Sequence, residues 1–268
     1  IRFSSQESLT DWASTATNTA GELRLGSGSE IVTAVETRQQ ILVYTDESIY
    51  AMQFLGPPFT FGVNLVSENI TTMGPLSAVA VEDNVFWMGL EEFYVYGGTV
   101  QRLPCTVRDF VFDDINLNQR EKIVASTNTA FSEVWWFYPS ESSSTNDRYV
   151  VYNYEQQVWY YGTMARSFWM DRGIFDQPIA AGPNNYLYSQ ETGFDDDGSA
   201  LTAYIESSQV DIGDGDQFAF IKRMIPDLTF RGSTAGSPSA NITVKTRNFP
   251  GGNYLQSTSS AVTKSASV

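Results

Sequence analysis

The chain reads as an all-β protein: a β-propeller-like repeat of four-stranded blades with an additional C-terminal β-sandwich-like element. Three observations predict this. First, a strand-like run four times ends in a hairpin and is answered by an aromatic, β-branched run. The pairs are Ile41-Leu42-Val43-Tyr44 with Ser48-Ile49-Tyr50-Ala51-Met52, Asn84-Val85-Phe86-Trp87 with Phe93-Tyr94-Val95-Tyr96, Glu133-Val134-Trp135-Trp136 with Arg148-Tyr149-Val150-Val151-Tyr152, and the weaker Asn185-Tyr186-Leu187-Tyr188 with Ala203-Tyr204-Ile205. Second, the period is roughly 45 to 50 residues, the length of a four-stranded blade. Third, aromatic residues make up 14% of the chain, and no long run has a 3.6-residue apolar period. A blade has an apolar face that it cannot bury alone, so the pattern predicts a stacked scaffold.

Residues 1–30, rich in Ser, Thr, Ala and Gly, read as an irregular opening segment with Trp12 as its large anchor. Residues 31–200 form the propeller-like domain, with about four blade-like repeats completed by sequence not present here. Its first blade is predicted over 31–35, 40–44, 48–54 and 59–66, with a turn at Asp46-Glu47 and Gly56-Pro57-Pro58 before the last strand. The second is predicted over 77–81, 85–88, 92–96 and 99–103, with Gly97-Gly98 supplying positive φ for a tight hairpin. The third runs over 122–126, 134–138, 149–154 and 158–161, and its polar 140–147 tip is expected in solvent. A fourth repeat begins near Pro178 and loses its regularity after Gly193. Residues 113–121 are the candidate for a short helix, capped by Asp114. Residues 201–268 form a partial C-terminal β-domain, with longer strands expected over 201–212, 218–230 and 241–247.

The net charge of −15, from 16 Lys and Arg against 31 Asp and Glu, argues against wrapping nucleic acid as a basic binder. The single cysteine, Cys105, excludes an internal disulfide framework, and the absence of histidine removes the commonest general base and metal ligand. No stretch approaches the ~18 apolar residues of a membrane span, and no signal-peptide pattern opens the chain.

Candidate chemistry is sparse. Asp195-Asp196-Asp197-Gly198 and Asp211-Gly213-Asp214-Gly215-Asp216 resemble calcium loops but lack full spacing and a closing Glu, and read better as acidic turns. Glu91-Glu92, Asp113-Asp114 and Asp171 are the carboxylates that a glycosidase would need to face across a cleft, yet adjacent strand residues point to opposite faces. Trp135-Trp136 and Trp159-Tyr160-Tyr161 present flat faces for a sugar or base; alternation sends one member of each pair to the core and leaves its neighbour for the next blade or another subunit. Asn69-Ile70-Thr71 and Asn241-Ile242-Thr243 fit the N-glycosylation pattern, which arises by chance at this length. Arg outnumbers Lys by roughly three to one, as suits pairing across interfaces.

From Tyr44 to Cys105 the motifs become specific. Val43-Tyr44-Thr45-Asp46-Glu47-Ser48-Ile49-Tyr50, Gly56-Pro57-Pro58-Phe59-Thr60-Phe61-Gly62, Phe86-Trp87-Met88-Gly89, Phe93-Tyr94-Val95-Tyr96-Gly97-Gly98 and Leu103-Pro104-Cys105 together resemble the tail nozzle, or tail hub (packaged DNA stabilisation), proteins of short-tailed bacteriophages. The resemblance continues through Asn116, Glu133-Val134-Trp135-Trp136-Phe137-Tyr138-Pro139-Ser140, Asp147-Arg148-Tyr149-Val150-Val151-Tyr152-Asn153-Tyr154 and Trp159, and thins after Gly193. It implies a non-enzymatic structural virion protein, assembled in the host cytoplasm into a six-fold homo-oligomeric ring below the portal and its adaptor ring. Such a ring forms the distal tube that retains packaged DNA and conducts it during ejection. Family members are longer, and this chain resembles the later part of one. The resemblance implies as partners the adaptor ring, a tail needle or tailspike and fibre proteins, and genomic double-stranded DNA passing without specific binding. No catalytic, cofactor-binding or metal residues are expected. The alternative is a carbohydrate-binding or glycan-cleaving propeller acting on a host surface; a third reading is a propeller used as a protein-interaction platform. Blade edges and loops serve all three.

Overall fold

The computed structural model of the chain describes residues 1–193, 195, 198–199, 204–208, 210, 220–230, 237–249 and 251–254, and the backbone of 256–263. The chain divides into two compact units, Ile1–Phe194 and Asp195–Val268.

The first unit opens with a short antiparallel pair, β1 (Arg2–Phe3) and β2 (Gly21–Glu22). Three four-stranded antiparallel sheets follow, each strand bonded to the next in sequence, which is the meander of a propeller blade. Blade one is β3 (Ile31–Glu36), β4 (Ile41–Thr45), β5 (Ser48–Gly56) and β6 (Thr60–Glu68). Blade two is β7 (Ala78–Val81), β8 (Asn84–Met88), β9 (Phe93–Tyr96) and β10 (Val100–Leu103). Blade three is β11 (Val124–Asn128), β12 (Glu133–Tyr138), β13 (Arg148–Asn153) and β14 (Val158–Thr163). A three-stranded sheet completes the row: β15 (Phe168–Met170), β16 (Ile179–Ala181) and β17 (Leu187–Ser189).

Strand alternation explains the stacking. Because successive side chains point to opposite faces, every blade has two apolar faces and meets a neighbour on each. Leu42, Tyr44, Ile49 and Ala51 of blade one pack on Val85, Trp87 and Tyr96 of blade two. The other face of blade two, with Phe86, Met88 and Phe93, packs on Val134, Trp136, Val150 and Tyr152 of blade three. The far face of blade three, with Trp135, Phe137 and Val151, receives Trp169 and Ala180 of the fourth sheet. Both members of the Trp135-Trp136 pair are therefore buried, one in each interface. At the other end of the row, Val43, Tyr50 and Met52 are covered by Ile1 and Leu25.

That cover corrects the reading of the opening segment. Trp12 does not anchor it: the indole is 44% exposed and donates to the Leu9 carbonyl at 2.9 Å. Phe3 edge-stacks on Phe61 at 5.0 Å, and Ser29 donates through its N–H and hydroxyl to Asp46. The strength of these contacts lies in partners supplied by blade one, which composition alone does not reveal.

Three other expectations change. The helical segment starts earlier, as α1 (Arg108–Asp114), and breaks at extended Ile115 before a 3-10 turn over Leu117–Lys122 capped by Asn116, whose side chain accepts from the Asn118 N–H at 3.1 Å; Asp114 is not the cap. Packing of Val111 and Ile115 into the core between blades two and three, invisible as a helical stripe in so short a segment, decides this. The 140–147 tip is in solvent only in part: Glu141, Ser142, Ser144 and Thr145 are exposed, as expected, while its base is held. Ser140 and Asn146 are buried, the Asn146 amide donates to the Lys122 carbonyl, and the loop's own carbonyls at Ser143 and Ser144 accept from the Asn116 amide and from Lys122 Nζ. The fourth repeat begins at Phe168, ten residues before Pro178, and its β17 pairs back with β16; Ala203, which opens the run expected to answer it, lies outside the described residues.

In the second unit, β18 (Ser239–Thr246) and β19 (Gln256–Thr263) form a long antiparallel hairpin that contains most of the expected 241–247 strand. The expected 218–230 strand is not formed over its described residues, 220–230. Phe220, Ile221 and Ile225 are exposed there, and an alternating run becomes a strand only when a partner takes its hydrogen bonds.

Candidate functional site

The innermost strands of the row, β3, β7, β11 and β15, converge on a shallow cleft of about 320 Å³ lined by residues including Thr33, Val35, Glu36, Leu76, Val79, Val124 and Phe168. A parallel bridge joins Leu76 to Val124, and the Ala125 N–H donates to the Leu76 carbonyl at 2.7 Å. Small side chains allow the strands to approach this closely. Among the described residues the lining carries a single charge, Glu36, so the cleft presents methyl groups, peptide edges and one carboxylate.

The carboxylates singled out from sequence are scattered, and most are held by separate partners. Glu92 meets Arg108 at 3.1 Å and Arg102 at 3.5 Å, while the Glu91 carbonyl accepts from Arg108 Nε. Asp114 faces Arg148 at 3.4 Å, and Asp113 is exposed. Asp171 accepts from the Thr127 hydroxyl and the Thr129 N–H at 3.0 Å and from the Arg172 N–H at 2.7 Å. Burial pushes the pKa of Asp171 up, but these donors together outweigh it and hold the carboxyl below its ordinary value. The cations expected to serve interfaces are thus engaged within the chain at Arg102, Arg108 and Arg148.

The structure brings together a pair that sequence reasoning missed. Glu133, buried at the start of β12, accepts from Trp135 Nε1 at 2.8 Å and from the Tyr160 hydroxyl, and Asn128 Nδ2 lies 3.5 Å from it and 3.3 Å from Glu191. Burial first, and the Glu133 charge second, raise the pKa of Glu191. Tyr160 and Tyr149 are raised as well, burial again leading. The signal available in sequence was a glutamate opening the otherwise apolar Val134-Trp135-Trp136-Phe137-Tyr138 run.

The aromatic candidates separate by face. Trp159 is core: its ring lies 4.6 Å from Phe93 and 4.7 Å from Tyr152, and Nε1 donates to the Pro104 carbonyl. Tyr160 turns toward Glu133. Tyr161 points the other way, 47% exposed and stacked on Phe110 at 4.1 Å, beside a cleft of about 410 Å³ formed by Cys105 to Phe110. The carboxylate pair and this aromatic cleft therefore lie on opposite faces of blade three, and they do not form one site.

Cys105 is half-buried; burial, offset in part by the Val107 N–H, leaves its thiol pKa pushed up to about 11. Of the Asp-rich turns, Asp195 accepts from the Gly198 N–H at 3.1 Å, a local turn contact, while 196–197 and 211–216 lie outside the described residues. Among the described residues no group of three or more Cys, Asp or Glu is placed to hold a metal. Asn69 and Asn241 are both exposed.

No protein-family model and no curated protein matches this sequence. Among solved structures, the chain is similar to the extracellular domain of BT4673 from B. thetaiotaomicron, described as a one-component system, with 12% identity, 70% of this chain and 24% of that one covered, and a TM-score of 0.42. It is also similar to the Neurospora crassa Pan2 WD40 domain, with 15% identity, 57% and 44% covered, and a TM-score of 0.34. The chain spans less than half the length of either. The propeller-like fold is read from the strand order and blade stacking themselves.

Proposed function

We propose that the chain is a structural virion protein, a subunit of the distal tail tube of a short-tailed phage that retains packaged DNA and conducts it during ejection. The observation that carries this reading is where the quoted family motifs fall. Val43 to Tyr50 is the β4–β5 hairpin, Gly56 to Gly62 the β5–β6 connection, Phe93 to Gly98 is β9 and its turn, and Glu133 to Ser140 with Asp147 to Tyr154 are the central strands of blade three. The resemblance is thus one of scaffold.

The charge is consistent with it. A wall of net negative charge does not hold phosphate, since each Lys or Arg contact adds affinity that a passing duplex would have to break. On this reading the chain acts as a six-fold ring in the virion, beside an adaptor ring and needle or fibre proteins, and the duplex passes without specific contacts. Electron microscopy of the assembled protein tests it: a six-fold ring with an axial hole supports the proposal, and a stable monomer opposes it.

The carbohydrate reading is favoured by one feature, the exposed Phe110–Tyr161 stack above its cleft, because flat apolar faces pack on sugar rings. Glycan binding lost on Tyr161→Ala would support that alternative.

A further inference from the structure

We infer that the tip of the β5–β6 hairpin contacts lipid, inserting Phe54, Leu55 and Phe59 into the interfacial layer of an uncharged bilayer. The hairpin outruns its blade. β4 ends its pairing where Ile41 meets Met52, and the Gln53 amide then donates to the Gln40 side chain at 2.9 Å. Beyond this point β5 continues to Gly56 with only Gly62, Phe61 and Thr60 opposite, so the last turn is two strands wide. Phe54, Leu55 and Phe59 are 69%, 57% and 73% exposed there.

Charge is absent throughout. No charged residue occurs from Ser48 to Ser67, in a chain of which 18% is charged; a run of that length would carry three or four at the average density. Several backbone donors at the tip are absent or paired, which lowers the cost of entering an apolar layer, where groups without a partner are costly. Pro57 and Pro58 have no N–H, the Phe59 N–H donates to the Gly56 carbonyl at 3.1 Å, and the Phe61 N–H to the Phe59 carbonyl at 2.7 Å.

The side chains are braced in advance. Phe54 edge-stacks on Phe61 at 5.6 Å, Phe61 on Phe3 at 5.0 Å, and Leu55 lies over Gly62, where an added Cβ would meet it at 2.6 Å. A narrow convex tip needs a matching pocket on a protein partner and none on a bilayer. A net charge of −15 opposes anionic lipid, so neutral headgroups fit, with attachment by burial of apolar area and little dependence on salt. The inference is independent of the ring, because a monomer would show it equally.

Flotation with phosphatidylcholine vesicles at millimolar lipid, at low and high salt, tests it. The chain should float at both salts. Phe54→Ser with Phe59→Ser should lower partitioning by about 100-fold, about tenfold per phenylalanine, with circular dichroism and native mass unchanged. Ile174→Ser, which removes an apolar side chain 94% exposed elsewhere, should float as the parent does. Failure of the parent chain to float, or equal flotation of the double variant, overturns the inference. So does a double variant that changes native mass while the parent shows no flotation, which would assign the tip to a protein contact.

Discussion

Replacing Trp169 by alanine should release the fourth sheet while leaving blades one and two intact. The indole is 2% exposed, stacks on Trp135 at 5.0 Å and on Phe137 at 5.7 Å, and donates to the Thr127 carbonyl at 3.1 Å. Burying about 200 Å² of aromatic surface at ~25 cal/mol per Å² gives roughly 5 kcal/mol as an upper figure, and core Trp→Ala changes cost about 3–5 kcal/mol, so roughly 4 kcal/mol is expected. Three strands of three residues are joined to blade three through Trp169, Ala180 and the Ser126 hydroxyl on the Trp169 carbonyl, and the polar contacts of Asp171 with Thr127 and Thr129 and of Glu191 with Asn128 do not replace the buried ring. In a stack where each unit contacts only its neighbours, the loss stays local. Hydrogen exchange read by mass spectrometry should speed up by about a thousandfold in β15 to β17, with β4, β5, β8 and β9 unchanged. Phe168→Ala, on the same strand but half-exposed, should change stability by no more than about 0.5 kcal/mol. Equal effects of the two substitutions, or uniform loss of protection across all blades, would refute the stacking argument.

Four further outcomes follow from individual polar groups. The Tyr44 hydroxyl is buried between blades one and two with no hydrogen-bond partner among the described residues, so Tyr44→Phe should raise stability by about 1 kcal/mol in urea unfolding; a loss would mean that the hydroxyl is in fact solvated. Asp171 has a lowered folded pKa, so its stabilisation is present above the unfolded carboxylate value and disappears as pH falls through the folded one. Asp171→Asn should therefore cost up to about 1 kcal/mol at neutral pH, discounted for solvent screening, and nothing in acid. Glu191, raised instead, loses stability as pH rises past its unfolded value, and Glu191→Gln should remove that loss; melting curves from acid to neutral pH read both signs. Cys105, with its thiol pushed up to about 11, should react with iodoacetamide at pH 8 about 100-fold more slowly than an unstructured thiol, and rapid labelling would contradict its burial.

The blades were legible because their signals are local. Alternating Tyr, Trp and Val runs around Asp46-Glu47 and Gly97-Gly98 define both strands of a hairpin within twenty residues. β15 was not: Phe168-Trp169-Met170 is too short to alternate, and it becomes a strand only because Trp169 has Trp135 to meet. The 140–147 loop reads as solvent-bound because its residues are polar, and Glu141, Ser142, Ser144 and Thr145 are exposed; what distance in sequence conceals is that Asn146 and the Ser143 carbonyl bond to Lys122 and Asn116. Glu133 opens β12 and Glu191 follows β17, and they meet only through blade packing and Asn128, so no spacing rule would pair them. Conversely, Glu91-Glu92 and Asp113-Asp114 looked like candidates for chemistry because they are adjacent, while in the fold Glu92 and Asp114 neutralise neighbouring arginines.

Tandem blades are proposed to build an architectural subunit whose work is done by assembly. Native mass spectrometry combined with two-dimensional class averages addresses that most directly. A particle of six times the 29.8 kDa chain, with six-fold averages and an axial hole, is the predicted result. A monomer that binds or cleaves a surface glycan would contradict it.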